Sequence, residues 1–254
     1  LPSHAIRLRD DALSQITRGQ DLHRKVFGKA AAGLWPPEAA VSNDVLALAA
    51  RCGSKWLVTD EGILEATLGE SLRDKDGRLI RPDLLYRPHI YRDDGGEVAV
   101  LFRDRLLSDL ISFEYPGMPA DDAVEDFMGR LERLRDDLGK DASSSLVVVA
   151  LDGENCWEFY DRGGDLFLEK LYERLSQGDI AETVLISDYL GQADSAHDLK
   201  HIYPASWIGN NLRTWIGQRA HNLAWDLIHD ARAALVGAEG KISEDVADAA
   251  WRSI

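Results

Sequence analysis

The sequence predicts an α/β protein built on a mainly parallel sheet. Segments with apolar residues at helical spacing alternate along the chain with short, unbroken apolar runs. The chain has 254 residues and is 45% hydrophobic, which is enough for one large domain or two modest ones and excludes a disordered chain.

The N-terminal part is predicted to form a helix, a strand and a second helix. The first helix covers about residues 10–26. A short strand at 32–35 stops at Pro36-Pro37, because proline has no N–H for the ladder. Ser42 is expected to cap a helix that runs to Ala50. The residues expected on the inner face of the first helix are Ala12, Leu13, Ile16 and Val26.

A strand at 55–58 and a polar stretch come next. Turn signals at 76–77 and 94–96 indicate an insertion over one face, at about 68–103. Within it, 84–91 and 98–102 are predicted to pair as a hairpin across the second turn.

The second half is predicted to contain three helices and two strands. Residues 120–138 have the clearest helical period, and 146–151 form the apolar run typical of a strand buried on both faces. A helix through Leu175, a strand at 184–186 and a long helix at about 211–235 complete the outline.

Composition limits the class of partner and the location. The 29 Lys and Arg against 44 Asp and Glu give a net charge of −15, which repels phosphate backbones and argues against nucleic acid. No run is apolar enough to span a membrane and no signal peptide is visible, which favours a cytoplasmic location. The chain starts at Leu1 rather than methionine, which favours a processed or excised piece. Cys52 and Cys156 have no metal-ligand spacing, so neither a metal nor a cofactor is predicted.

Acidic side chains follow three of the predicted strands. Glu38, Asp60 and Asp152 each occupy such a position, where the C-terminal edge of a parallel sheet collects catalytic groups. The alternative for each acid alone is that it caps the next helix. A tryptophan lies near a carboxylate in each of the three motifs: Trp35 near Glu38, Trp56 near Asp60, and Trp157 near Glu154 and Glu158. An indole beside a carboxylate offers a flat face for a sugar ring and can raise the pKa of an acid, and two carboxylates in unlike surroundings are what glycosidic cleavage requires.

Four segments together resemble glycoside hydrolase family 57, and within it the amylopullulanase and α-amylase-like members. They are residues 33–42, 56–64, 151–160 and 206–225, and the resemblance covers roughly residues 5–230 in the expected order. It implies that Glu38 is the nucleophile and Asp152 the general acid/base of a retaining mechanism, although 114 positions separate them in sequence.

The resemblance also implies substrate-binding roles for several side chains. Indole rings stack on glucose and amides bind hydroxyls. Trp215 and Trp225 have the alternative of being core residues of the long helix, and Asp60 that of a helix cap. Arg103-Asp104 is predicted to be a structural salt bridge or a cleft pair, and Cys156 a small buried residue. The candidate substrate-binding residues are Trp35, Asp60, Glu154, Trp157, Trp207, Asn210, Asn211 and Trp215.

None of the seven histidines is followed by the Gln-Pro of the family's first strand, so the resemblance implies that the front strands are missing. We therefore expect a partial (β/α)7-type barrel with parallel strands, an inserted hairpin and C-terminal helices. Residues 1–200 are expected to form the barrel region and 201–254 a helical segment that packs on it. An open sheet edge would then pair with the missing remainder of the catalytic domain or favour association.

The resemblance implies an enzyme that acts on α-1,4 or α-1,6 bonds of an α-glucan oligosaccharide or polysaccharide. A 4-α-glucanotransferase or branching enzyme uses the same covalent intermediate and is an alternative. A glucan-binding or inactive partial homologue is another.

Overall fold

We describe a computed structural model of the chain, covering residues 8–153 and 156–253. The chain divides into two compact units, of which the first ends at Asn210 and the second begins at Asn211. The five strands found among the described residues belong to the first unit.

One mainly parallel sheet organises the first unit, as predicted for the fold class. Its spatial order is β1-β2-β4-β3-β5. The pairs β1–β2, β2–β4 and β3–β5 are parallel, and β3–β4 is antiparallel. The strands are β1 Gly33–Leu34, β2 Trp56–Asp60, β3 His89–Asp93, β4 Gly96–Arg103 and β5 His197–Leu199.

The predicted hairpin forms between β3 and β4, but it is part of the central sheet rather than a layer over one face. Strand β4 lies between β2 and β3, and its apolar residues are buried. Because β4 is parallel to β2, the ends of these strands bring Asp60 opposite Arg103.

Local signals predicted several helices well. Ser42 caps α2 by accepting a hydrogen bond from the Val45 N–H, and α6 covers the predicted 120–138. The helices of the first unit are α1 Arg9–Phe27, α2 Asn43–Arg51, α3 Glu61–Leu68, α4 Pro82–Leu85, α5 Arg105–Asp109, α6 Ala120–Leu138, α7 Asp165–Leu175 and α8 Ile186–Gln192.

The inner face predicted for α1 is only partly correct. Ala12 is buried, whereas Val26 is 62% exposed. The first half of α1 is attached to the neighbourhood of α2 through an Arg9–Asp44 ion pair and a contact between Thr17 and Cys52. The last turn, before Gly28, extends past these contacts.

The segment 146–151 lies beside the C-terminal end of β4 but does not form a regular ladder of backbone hydrogen bonds with it. The Asp104 N–H donates to the Val148 carbonyl at 2.8 Å. The next backbone bond is replaced by the Ser108 hydroxyl, which donates to the Asp104 carbonyl and accepts from the Ala150 N–H. The predicted strand is therefore an irregular, hydroxyl-bridged segment.

The strand predicted at 184–186 is wrong, because Ile186 begins helix α8 and Leu185 is 71% exposed. The Leu185 carbonyl accepts from the N–H groups of Asp188 and Tyr189, which starts that helix. A short apolar run does not distinguish a strand from a helical turn.

The second unit contains helices α9 Arg219–Ala238 and α10 Glu244–Ser253. The predicted helix start at about 211 is wrong, because residues 211–218 form turns and Gly217, with φ of 95°, has a non-helical backbone just before α9. Trp215 therefore precedes α9, and its carbonyl accepts from the indole N–H of Trp225, which is a half-buried residue of that helix. No described helix combines the length and apolarity needed to cross a membrane.

Candidate active site

Glu38 lies on a tight turn between β1 and α2. Its backbone is left-handed, with φ of 57°, and that of Ala39 is left-handed too, with φ of 49°. This region is unfavourable for residues other than glycine, so the surrounding contacts must hold the turn. The Thr59 hydroxyl donates to the Ala39 carbonyl at 2.7 Å, and the Trp207 N–H donates to the Glu38 carbonyl at 3.2 Å.

The Glu38 carboxylate is oriented by a tryptophan. The indole Nε1–H of Trp207 donates to Oε2 of Glu38 at 2.7 Å. Trp35 meets the Trp207 ring edge to face, with 5.4 Å between the ring centroids. The structure therefore brings together three predicted site residues, and Trp207 contacts the carboxylate itself rather than only offering a stacking face.

Asp60 both caps a helix and forms an ion pair. Its Oδ1 accepts from the Gly62 N–H in the first turn of α3, and its Oδ2 accepts from Nε of Arg103 at 2.6 Å. The residue is 1% exposed. This geometry favours the helix-cap alternative and places Asp60 behind Arg103.

Arg103 connects several parts of the site. Besides Asp60, it binds Asp109 through Nη2 at 3.0 Å and the Ala150 carbonyl through Nη1 at 3.2 Å. Its guanidinium carbon lies 4.8 Å from the centre of the Trp207 ring. Burial raises the pKa of the Asp109 carboxyl, and the Arg103 guanidinium opposes that shift.

Arg103 and Asp104 do not form a pair with each other, contrary to the expectation. Arg103 is the last residue of β4, whereas Asp104 caps helix α5 by accepting from the Leu107 N–H. Asp104 instead binds Arg73 at 3.0 Å and accepts from the Tyr86 hydroxyl at 2.6 Å. Arg73 also binds Glu61, which is fully buried. Burial lowers the pKa of Arg73, but its bond to Glu61 and the charge of Asp104 outweigh that effect and raise it overall.

Asp152 is half-buried and follows Ala150 by two residues. A groove of about 900 Å³ runs beside it and is lined by Leu151, Gly153 and Trp157. Trp157 also packs on Tyr160, with 5.4 Å between the ring centroids. Since Ala150 binds Arg103, which lies over Trp207, a continuous set of contacts connects the backbone near Asp152 with the Glu38 carboxylate.

The remaining predicted residues have different placements. Asn210 lies over helix α3, where a Cβ added to Gly62 would meet its side-chain amide at 2.6 Å. Asn211 and Trp215 belong to the second unit, and Glu154 lies outside the described residues. Cys156 is buried, as expected.

Sequence reasoning missed the role of Arg103 beside Trp207. The signal that could have found it is the position of an acid and a base at the ends of two buried runs, Asp60 and Arg103.

His197 and His201 have a spacing used by helical metal ligands, but His197 lies on β5 and binds the Asp83 carbonyl. Residues 8–153 and 156–253 contain no group of three or more His, Cys, Asp or Glu side chains that could hold a metal ion.

The arrangement combines an acid on a strained turn, an indole donor to that acid, and a second acid beside a groove. Oε1 of Glu38 accepts no hydrogen bond from the described part of the chain, so one oxygen can react while Trp207 holds the other. A carboxylate held in this way is suited to nucleophilic attack, and a second, half-buried carboxyl group is suited to proton transfer.

Comparisons with known proteins agree on the fold. A branching enzyme from Pyrococcus horikoshii has a TM-score of 0.70 and 16% identity, over 91% of this chain and 50% of that chain. An alpha-amylase from Thermotoga maritima has a TM-score of 0.66 and 16% identity, over 92% and 53%. A 4-alpha-glucanotransferase from Thermococcus litoralis has a TM-score of 0.60 and 19% identity, over 89% and 32%.

This chain therefore spans between about a third and about half of the length of these solved structures. No curated protein matches it. The family described as Glycosyl hydrolase family 57 matches residues 3–202, which is most of the chain. The chain belongs to glycosyl hydrolase family 57.

Proposed function

We propose that this chain carries the catalytic pair of a retaining α-glucan-active glycoside hydrolase, with Glu38 as nucleophile and Asp152 as general acid/base. The observation that carries the proposal is the hydrogen bond from Trp207 to Glu38, on a left-handed turn at the C-terminal edge of the sheet. Family membership and the α-glucan enzymes among the solved structures supply the substrate class.

In the first step, Oε1 of Glu38 attacks the anomeric carbon while Asp152 gives its proton to the leaving glycosidic oxygen. The C–O bond breaks and a glucosyl ester forms on Glu38. Retaining enzymes hold the two carboxyl groups about 5–5.5 Å apart for this step. The Trp207 N–H holds the other carboxylate oxygen so that the attacking one keeps its direction.

In the second step, Asp152 withdraws a proton from water, which attacks the same carbon. The ester bond breaks and Glu38 leaves as a carboxylate. A sugar hydroxyl that replaces water gives transfer instead of hydrolysis, so the transferase and branching alternatives share every residue of this mechanism.

Indole and amide side chains supply the sugar contacts in this proposal. Trp35 and Trp207 form an edge-to-face pair beside Glu38, and Trp157 lines the groove beside Asp152. Asn210, Asn211 and Trp215 are proposed to bind sugar hydroxyls or ring faces. Asp60 acts through Arg103, since both of its oxygens are engaged in the buried site.

Amide substitution of the two acids tests the assignment. Glu38→Gln and Asp152→Asn should each lower turnover on starch or pullulan by several orders of magnitude, because each removes one half of the reaction. Reducing-end release measures this, and Glu132→Gln on the exposed side of α6 is the control. Near-normal rates in either variant would exclude the assignment.

Azide distinguishes the two roles. A small anion can replace a missing nucleophile, so it should restore activity to Glu38→Ala and give a glucosyl azide of inverted configuration. Rescue of Asp152→Ala to the same inverted product would reverse the roles. Product analysis by chain length then separates hydrolysis from transfer.

A glucan-binding function is the second candidate, favoured by the part of the relatives' length that the chain spans. It predicts that starch binds with no turnover, and that Trp35→Ala and Trp157→Ala weaken binding while Glu38→Gln does not. Turnover by the 254-residue chain that depends on Glu38 decides for the enzyme.

We also propose that the segment 146–151 presents a sheet edge to the remainder of a longer catalytic domain. Every second residue of this segment bonds to the rest of the first unit. Leu146 bonds to Tyr86, Val148 to Asp104, and Ala150 to both Ser108 and Arg103. Among described residues, the backbone groups of the alternate residues have no partner, and they border the apolar groove. These alternate residues are Val147, Val149 and Leu151.

Hydrogen exchange tests this edge. The amides of Val147, Val149 and Leu151 should exchange quickly in the 254-residue chain, and slowly in a longer protein that completes the sheet. The Leu146 amide, bound to the Tyr86 carbonyl at 3.0 Å, is the control within the same segment. Slow exchange of the three amides in the 254-residue chain would contradict the proposal.

A further inference from the structure

We propose that Arg103 is a positioning residue that fixes Glu38 through the Trp207 indole and fixes the backbone before Asp152 directly. The inference rests on the proposed function and extends it to a residue outside the catalytic pair. Arg103 is placed at the end of β4, between the turn that carries Glu38 and the segment that leads to Asp152.

Two carboxylates fix the orientation of the guanidinium. Asp60 takes the Nε–H and Asp109 binds Nη2, so the plane of the group is set from two directions. Arg103 is 6% exposed, and water does not compete strongly for these donors. A guanidinium held at two edges in this way has a defined face.

That face lies against Trp207. A cation 4.8 Å from the indole centre is attracted to the ring, and it also draws electron density away from the N–H at the ring's edge. The same N–H donates to Glu38 at 2.7 Å. Arg103 thus orients the indole and strengthens its hydrogen bond to the carboxylate without touching that carboxylate.

The third edge of the guanidinium reaches the other half of the site. Nη1 donates to the Ala150 carbonyl at 3.2 Å, two residues before Asp152. This segment lacks a regular ladder at this point, since Ser108 bridges Ala150 to Asp104. The bond from Arg103 therefore replaces part of the missing backbone pairing and fixes the distance between the two halves.

Lysine does not reproduce this geometry. Its ammonium is a single point charge with no planar face and no fork of donors, so it can keep the ion pair with Asp60 but not all four contacts. Arg103→Lys is therefore the informative variant, because it retains the charge in the buried site.

The indole N–H signal of Trp207 in ¹⁵N-labelled protein is the primary readout. The seven tryptophans give seven signals at most, and Trp207→Phe assigns the one required. We expect Glu38→Gln and Arg103→Lys each to shift the Trp207 signal more than any other indole signal. A Trp207 signal that moves in Glu38→Gln but not in folded Arg103→Lys would overturn the inference.

Two further variants keep the test decisive if Arg103→Lys does not fold. Asp109→Asn removes the charge of one partner of Arg103. The Asp109 side chain is 39% exposed, so the variant should fold. It should shift the Trp207 signal more than any other indole signal. No shift in folded Asp109→Asn would contradict the inference. Arg130→Lys is the matched control: Arg130 binds Asp126 through Nε at 2.6 Å within α6, and its replacement should leave the Trp207 signal in place.

Kinetics separate positioning from substrate contact. Arg103→Lys should lower kcat about tenfold to a hundredfold with KM changed less than about threefold, since small misplacements of reacting groups have effects of this size. Arg103→Lys combined with Trp207→Phe should lose less than the product of the two single losses, because one of the two effects of Arg103 passes through Trp207 and the other, on Ala150, does not. A raised KM with unchanged kcat would contradict positioning. Normal turnover in Glu38→Gln would contradict the proposed function alone. The Trp207 signal would still show whether Arg103 positions the indole.

Discussion

At the scale of single residues, Glu38 combines an unfavourable backbone with a side chain held in place. Positive φ at both Glu38 and Ala39 costs of the order of 1–3 kcal/mol each. The hydrogen bonds to the Thr59 hydroxyl and the Trp207 N–H hold the turn in this shape. Left-handed backbone kept at this cost is typical of active sites, where it aims a reacting group.

His89 shows how burial sets a pH dependence. It is 2% exposed, its Nε2 lies 2.8 Å from the Leu84 carbonyl, and its ring lies edge to face against Phe102. Burial lowers the pKa of His89 to about 4. His89 therefore becomes protonated near pH 6.5 in the unfolded chain but only near pH 4 in the folded chain.

We expect the free energy of unfolding to fall as pH decreases from about 6.5 to about 4, by up to about 3 kcal/mol from this residue. Urea unfolding at several pH values measures it. His89→Gln retains a donor for Leu84 but does not titrate, so its stability should depend less steeply on pH in that window. Equal slopes for the two proteins would show that His89 is not responsible.

At the scale of elements, local signals predicted what local interactions determine. The Ser42 cap and the apolar period of α6 gave the correct helices. The segment 146–151 was predicted as a strand because its composition fits one, but its pairing depends on Ser108, which lies 42 positions from Ala150. Helix α9 begins later than predicted because Gly217, with φ of 95°, interrupts the helical turn that begins at Leu212. A single left-handed glycine is not visible in apolar spacing.

The close contact between Gly62 of helix α3 and the Asn210 side chain can be tested by substitution. Gly62 is buried in its first turn, under the side chain of Asn210, whose own backbone is left-handed with φ of 52°. Alanine generally stabilises a helix relative to glycine by about 1 kcal/mol. Here the added methyl group would meet the Asn210 amide, so we expect Gly62→Ala to destabilise the protein by about 1 kcal/mol or more.

The double variant separates the two effects. In an Asn210→Gly background the obstacle is absent and glycine suits the left-handed backbone, so Gly62→Ala should stabilise by up to about 1 kcal/mol. Urea midpoints of the four proteins give the coupling. Additive changes would show that Asn210 does not constrain Gly62.

At the scale of the whole molecule, the sequence predicted which residues gather at the sheet edge better than how they interact. The predicted group of Trp35, Glu38 and Trp207 is assembled by the sheet and by the bridge between Val41 and Ala205. The role of Arg103 depends on the register of β2 against β4, which sets it opposite a residue 43 positions away. Register of that range follows from the packing of the complete sheet, so motif spacing alone could not supply it.

The distribution of buried residues leads to a prediction about the two units. The three apolar clusters use residues between Leu34 and Ala205, and among described residues Leu235 is the buried apolar side chain of the second unit. Because most of the stabilising burial lies in the first unit, a chain that ends at Asn210 should still unfold cooperatively. Its midpoint in urea should stay close to that of the 254-residue chain, measured by far-UV circular dichroism and by the fluorescence of the four remaining tryptophans, Trp35, Trp56, Trp157 and Trp207. A broad, non-cooperative transition would show instead that helices α9 and α10 are needed to hold the sheet together.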